Sequence, residues 1–164
     1  MFYTELFRRL GERRVRYLVA GGVALNLHGV PRMTADLDLI LALEPENLEA
    51  ALGVMEEMGF VPSVPVPARE LLVPENRERW ILEKHLIAFP FHNPARPYEA
   101  VDFLIGLPVD FGALWSRRHE IALGDVALPV LGLDDLIALK EVSGREQDRA
   151  DRDALLRLKR SHEP

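Results

Sequence analysis

Asp36 and Asp38, separated by one residue, are the pair in this sequence best spaced for shared chemistry. They open the run Asp36-Leu37-Asp38-Leu39-Ile40-Leu41-Ala42-Leu43, which alternates acid and apolar residues at its start, as a strand with one chemical face does. Residues two apart in a strand project from the same face, close enough to share a ligand. Two carboxylates so placed repel each other unless something positive lies between them. A divalent cation meets that need, and an oxygen-only ligand set favours Mg²⁺ or Mn²⁺. The competing reading is an exposed strand that is merely acidic, against which Leu37, Leu39, Ile40 and Leu41 mark the segment as mostly buried. A third carboxylate, Asp102, sits within the apolar run Ala100-Val101-Asp102-Phe103-Leu104-Ile105, where an unpaired charge is costly. Were its strand to lie beside the first, three carboxylates would converge. The alternative is an Asp at a strand edge, bonded to a turn or an arginine.

Other residues admit two readings each. Lysine is scarce, with only Lys84, Lys140 and Lys159 against 17 arginines, a bias that genome composition explains. Lys140 therefore stands out on its otherwise apolar helix, either snorkelling at the edge or contacting phosphate. Asp148 and Asp151 lie among Arg145, Arg149 and Arg152 at spacings that also suit ion pairs within one helix. Lys140 and Asp151, 11 residues apart, would share a face if the helix were continuous; Gly144 is expected to break it, so that count carries no weight. Arg32 is either an anion contact or a structural partner of Asp36 or Glu44. His28, before Gly29, reads as a helix-end or packing residue, and Arg117-Arg118-His119 as a solvated hairpin flank.

The elements that must position these groups follow from periodicity. Residues 3–14 space Tyr3, Phe7 and Leu10 as an amphipathic helix. Residues 17–20 form a short buried strand ending in a tight turn at Gly21-Gly22, followed by a helix over 23–28. A strand over 36–43 and a helix over 45–58 come next. Four prolines make 61–75 a poor place for long elements, and a short helix over 77–84 follows. Strands over 86–91 and 99–104 are joined by a turn at His92-Asn93-Pro94, and a short helix covers 111–115. Strands over 120–123 and 126–131 pair as a hairpin around Gly124-Asp125. Helices over 133–142 and 147–160 close the chain. The expected class is α/β (α+β): a mixed sheet flanked by helices over 1–132 and a C-terminal helical pair over 133–164, together one domain.

Composition narrows the function. The 164 residues carry 20 Lys plus Arg against 26 Asp plus Glu, a formal charge of -6 that argues against a protein coating nucleic acid. There is no cysteine, which excludes a disulfide scaffold, a thiolate metal site and a Cys nucleophile. No apolar run approaches the roughly 20 residues of a membrane span, and no secretory signal is visible, so a cytoplasmic location without a membrane partner is expected.

The stretch Tyr17-Leu18-Val19-Ala20-Gly21-Gly22-Val23-Ala24-Leu25, then His28-Gly29, Arg32, Thr34 and Asp36-Leu37-Asp38-Leu39, resembles the opening of the nucleotidyltransferase superfamily of the DNA polymerase β type. The likeness is nearest to its AbiEii-like and minimal bacterial members. Leu136-Ile137-Ala138-Leu139-Lys140, then Gly144-Arg145, Asp148 and Asp151, is similar to the second motif of the AbiEii branch. The resemblance implies a nucleotidyltransferase fold that moves a nucleoside monophosphate from an NTP to an acceptor hydroxyl. It implies backbone amides of Gly21 and Gly22 near the phosphates, and Mg²⁺ (or Mn²⁺) on Asp36, Asp38 and Asp102. It further implies Lys140, with Arg32 or Arg145, on the triphosphate, and Asp148 as a functional position orienting Lys140 or the acceptor. The acceptor would be RNA such as tRNA, or a protein, and the branch often supplies the toxin of a toxin–antitoxin pair. Many relatives carry Gly-Ser where this chain has Gly21-Gly22, which removes one hydroxyl contact. The alternative function is a non-catalytic nucleotide-binding or antitoxin-like protein of the same fold.

Overall fold

Tyr17–Ala20 is apolar throughout, and all four residues are buried; this is β1, near the middle of the sheet in the computed structural model, which describes residues 3–163. Its antiparallel neighbour β2 (Asp36–Leu41) alternates as the sequence predicts: Leu37 and Leu39 are fully buried, while Asp36 and Asp38 share the other face. On the far side of β2, β5 (Arg96–Leu104) runs parallel, placing Asp38 directly opposite Asp102 and Leu39 opposite Phe103. β4 (Ala88–Asn93) pairs antiparallel with β5 and carries the two-residue strand β3 (Val61–Pro62) at the edge. On the other side of β1 lie β7 (Val126–Val130), parallel to it, and β6 (His119–Leu123), antiparallel to β7. Among the described residues the seven strands make one mixed sheet in the order β3-β4-β5-β2-β1-β7-β6.

Helices bury their apolar stripes against this sheet and each other. Leu6, Phe7 and Leu10 of α1 (Thr4–Glu12) are buried, and the helix packs on α3 (Pro45–Glu57) and β7. Phe89, Phe91 and Phe103 form an aromatic row across β4 and β5, with Trp80 of α4 (Pro74–Lys84) against Phe89. α5 (Phe111–Ser116) starts on Asp110, whose carboxylate accepts the Ala113 amide as an N-cap. α6 (Leu133–Ser143) and α7 (Glu146–His162) form the expected C-terminal pair, separated by Gly144 at φ +66°.

Several boundaries differ from expectation for identifiable reasons. The glycines do not form a turn ahead of the helix: α2 (Gly21–Leu27) begins at Gly21 itself, whose φ of +61° lets β1 enter the helix without an intervening loop. α4 begins at Pro74 instead of residue 77, because a proline at the first helical position gives up no intrahelical hydrogen bond. The β4–β5 turn is Pro94-Ala95. Asn93 stays in the strand because its buried amide donates to the Met58 carbonyl and accepts the Ala95 N–H. β5 extends back to Arg96, which pairs at 3.0 Å with the buried Glu99. The proline-rich stretch holds only β3 and a 3-10 turn over Ala68–Leu72 that buries Leu71.

Candidate active site

β2 and β5 bring the three predicted carboxylates onto one face, Asp38 level with Asp102 and Asp36 one step toward the strand's start. The crowding has an electrostatic cost. Burial, reinforced by Asp102 and Asp36, pushes the Asp38 carboxyl up to about 6. Burial and Asp36 also raise Asp102. Among the described residues, no three His, Asp or Glu side chains stand as a ready group for a metal ion. What Asp36, Asp38 and Asp102 offer a hard divalent cation is donor chemistry: oxygen only, with like charges pressed together.

The backbone packs closely on that face. A Cβ on Gly21 would overlap the Asp38 carboxylate, so this position tolerates no side chain while Asp38 keeps its place. A Cβ on Gly22 would lie 2.8 Å from Thr34 and 2.9 Å from Arg32 Nη1. The tightness that the Gly-Gly pair implies is therefore real, and it brings the start of α2 against the acids and the Arg32 loop. The backbone N–H of Arg32 is fixed by the Asn26 side chain at 2.8 Å. Tyr3 closes the other edge of the face. Its hydroxyl lies 2.9 Å from the carbonyls of both Ala35 and Ala100 and accepts the Ala100 N–H at 3.2 Å. Nothing in the spacing of Tyr3 announces this role, because the contact joins the first helix to strands far along the chain.

The second motif assembles beside the first. Lys140 Nζ lies 2.6 Å from Asp148 and 2.9 Å from Asp151. The break at Gly144 produces this pairing: α7 turns so that both acids reach back to α6, where a continuous helix would have stacked them along one side. Asp148, 2% exposed, also accepts from Arg145 Nε at 2.7 Å and from the Ser143 hydroxyl. Burial alone would raise the Asp148 carboxyl, but hydrogen bonds from Lys140, Ser143 and Arg145 outweigh it and hold the group well below the usual carboxylate range. Asp151 Oδ2 meets Arg32 Nη1 at 3.1 Å as well as Lys140, in each case as an ion pair without an aligned hydrogen bond. Arg32 and Lys140 both act on Asp38 electrostatically, opposing its upward shift, so the two motifs form one charged cluster.

Some partners differ from the sequence reading. Arg32 pairs with neither Asp36 nor Glu44; Glu44 takes Arg16 at 2.8 Å. Of the ion pairs expected within the last helix, only Arg145–Asp148 forms between the named residues, while Arg149 donates to the Gly144 carbonyl and Arg152 pairs with Asp153. The Arg117-Arg118-His119 cluster is engaged, not merely solvated. Arg117 holds Asp135 through two bonds, Arg118 lies 3.9 Å over the Trp115 ring and bonds Glu120, and His119 meets His28 edge-on at 5.1 Å. His28 caps α2 and contacts the Leu131 carbonyl at 2.8 Å, the packing role expected. A cavity of about 440 Å³ lies at the opposite ends of β2 and β5, lined by Ile40, Leu41, Leu104, Ile105 and Phe111, away from the acids.

No family model matches the chain, and neither does any curated protein. Among solved structures, a candidate nucleotidyltransferase from Thermotoga maritima matches with a TM-score of 0.54 at 16% identity, over 99% of this chain and 94% of that one. No helix among the described residues is long and apolar enough to cross a membrane. With its mixed sheet, the acids on β2 and β5 and the helices around them, this chain has a nucleotidyltransferase-like fold.

Proposed function

We propose that the protein is a nucleotidyltransferase that moves a nucleoside monophosphate from an NTP to an acceptor hydroxyl. The observation that carries the reading is the packing of Gly21 directly over Asp38 where Asp38 stands level with Asp102. It places side-chain-free backbone beside a carboxylate face, an arrangement suited to a polyphosphate and its cation. Asp36, Asp38 and Asp102 would hold Mg²⁺ or Mn²⁺, which supplies charge neutralisation at the reacting phosphate. The Gly21 and Gly22 amides would face phosphate oxygens, with Arg32, Lys140 and Arg145 supplying positive charge. The acceptor oxygen forms its bond to the α-phosphorus, and the bond to the β-phosphate breaks, releasing pyrophosphate with the electron pair. The acceptor proton passes to Asp102, which stands level with Asp38 on the adjoining strand. Asp148 keeps Lys140 oriented. Within this reading we place the chain with the AbiEii-like branch, with an RNA such as tRNA or a protein as acceptor and a role as a toxin countered by an antitoxin.

One observation favours the non-catalytic alternative: Lys140 is already paired with both Asp148 and Asp151, so its charge is matched within the fold before any phosphate arrives. Calorimetric titration of each of the four NTPs with Mg²⁺ separates the two readings when joined to an acceptor screen. Binding by the wild type that disappears in folded Asp36→Asn/Asp38→Asn supports the site, and label transfer from the bound NTP to RNA or protein supports the enzyme. Binding without transfer to any acceptor favours the non-catalytic form. Absence of binding with both Mg²⁺ and Mn²⁺ removes the basis of either reading.

A further inference from the structure

We infer that Asp151 is a positioning residue for anion binding: it holds Arg32 and Lys140 as a pair beside the carboxylate face, and acts on a polyphosphate only through them. The inference rests on the nucleotide-binding reading above. Arg32 belongs to the loop between α2 and β2, Lys140 to α6 and Asp151 to α7, so one carboxylate ties three separate elements together. Asp151 is 4% exposed, which keeps it from touching a ligand, whereas the Arg32 and Lys140 side chains retain 24% and 11% exposure.

Its two oxygens have different duties. Oδ1 accepts from Gln147 Nε2 at 3.1 Å, which fixes the carboxylate's rotation. Oδ2 faces both cations and has no aligned hydrogen bond. A buried carboxylate with a poorly used oxygen is an inefficient way to stabilise a fold, and it leaves both cations with donors to offer an incoming anion. Arg32 carries five N–H groups and Lys140 three, so each can bond phosphate while staying paired with Asp151. The absence of a Cβ at Gly22 makes the arrangement possible, since that atom would lie 2.9 Å from Arg32 Nη1. Without Asp151, the guanidinium would be free to swing out of the loop and Lys140 would turn wholly to Asp148.

The test is calorimetric binding of inorganic tripolyphosphate with Mg²⁺, a probe that carries the anion without a base. Four folded proteins are compared: wild type, Asp151→Asn, Arg32→Gln and the double variant. Asp151→Asn is expected to weaken binding about tenfold in the wild-type background and no more than about threefold in the Arg32→Gln background, because the arginine through which it acts is gone. Unchanged or tighter binding by Asp151→Asn overturns the inference and leaves the proposed function standing. So does a tenfold loss that persists in full on Arg32→Gln, because Arg32 then takes no part and the two cations are not held as a pair. If Asp151→Asn does not fold, Asp151→Ser, which is smaller and also uncharged, is read by the same outcomes. A wild type that binds neither tripolyphosphate nor any NTP overturns both.

Discussion

The acids on the β2–β5 face and the acids of the α6–α7 hairpin are the same residue type under opposite electrostatic regimes. Asp36, Asp38 and Asp102 meet mainly each other, and burial with mutual repulsion drives Asp38 and Asp102 toward the protonated form. Asp148 is more deeply buried by surface area, yet three donors hold it ionised. Desolvation acts on both regions; partners decide the sign. One region is arranged for stability with its charges matched, and the other stores a repulsion that a cation would relieve. A protein selected only for stability would pair the first set as it pairs the second, which is why the proposed chemistry is assigned to the first.

The largest effect that tests this contrast comes from the matched region. Asp148→Ala removes the acceptor for Lys140, Arg145 and Ser143 at once and leaves Lys140 with Asp151 alone. Stability at pH 7 is expected to fall by about 3 kcal/mol, as for other buried pairs broken from one side. Denaturant unfolding with an unchanged slope measures it, and a loss under about 1 kcal/mol would show that the hairpin acids are no better used than surface charges.

The opposite sign is expected on the carboxylate face. Asp38 has a folded-state value of about 6 against an ordinary 3.8, so the native state binds a proton more tightly than the unfolded chain between those values. Stability of the metal-free protein therefore falls as pH rises from about 4 to about 6 and is level above. Asp38→Asn removes that penalty and should raise stability by about 2 kcal/mol at pH 7.5 while changing it little at pH 4. Thermal unfolding in chelator across this range reads the difference directly. A variant less stable than wild type at pH 7.5 breaks the contrast, because it would mean that Asp38 is satisfied in the fold. Added Mg²⁺ should stabilise the wild type and not the variant.

How much of this the sequence revealed depends on the range over which each feature is determined. Residues 36–43 are legible as a strand acidic on one face at its start because that pattern is local, with a period of two; the strand that forms ends at Leu41. The placement of Asp102 opposite Asp38 was conditional on which strands adjoin, which no local pattern states. The chain supplies it through β5 running parallel to β2, a pairing that brings together segments with two α-helices and a 3-10 turn between them. The α6–α7 cluster was half legible. Gly144 announces the break, and the break leaves the 11-residue spacing of Lys140 and Asp151 without weight; the bend itself is what makes them meet. The structural partners that sequence offers Arg32, Asp36 and Glu44, are its near neighbours in the chain, whereas the carboxylate it pairs with, Asp151, comes from the last helix. Tyr3 was read only as one apolar position in a helical stripe, since a tyrosine on such a stripe gives no sign of where its hydroxyl goes.

That hydroxyl offers the smallest and most local way to sharpen the comparison. A face of unpaired like charges on two parallel strands pushes those strands apart, whereas the hairpin acids draw their helices together. Tyr3 opposes the push with a hydroxyl that accepts the Ala100 N–H and shares its one proton between the carbonyls of Ala35, just before Asp36, and Ala100, two residues before Asp102. Burial raises the Tyr3 hydroxyl above its ordinary value, so it stays a neutral donor throughout the working range. Tyr3→Phe keeps the ring in the core and removes only the oxygen, leaving the Ala100 N–H without that acceptor. The expected cost is about 1 kcal/mol. The decisive reading is hydrogen exchange at the Ala100 amide, which should quicken at pH 7 by more than the global loss of stability accounts for, while amides in α6 and α7 quicken only by the global amount. Uniform quickening at both places would mean that Tyr3 supports the fold as a whole, and that the acidic face needs no clamp of its own.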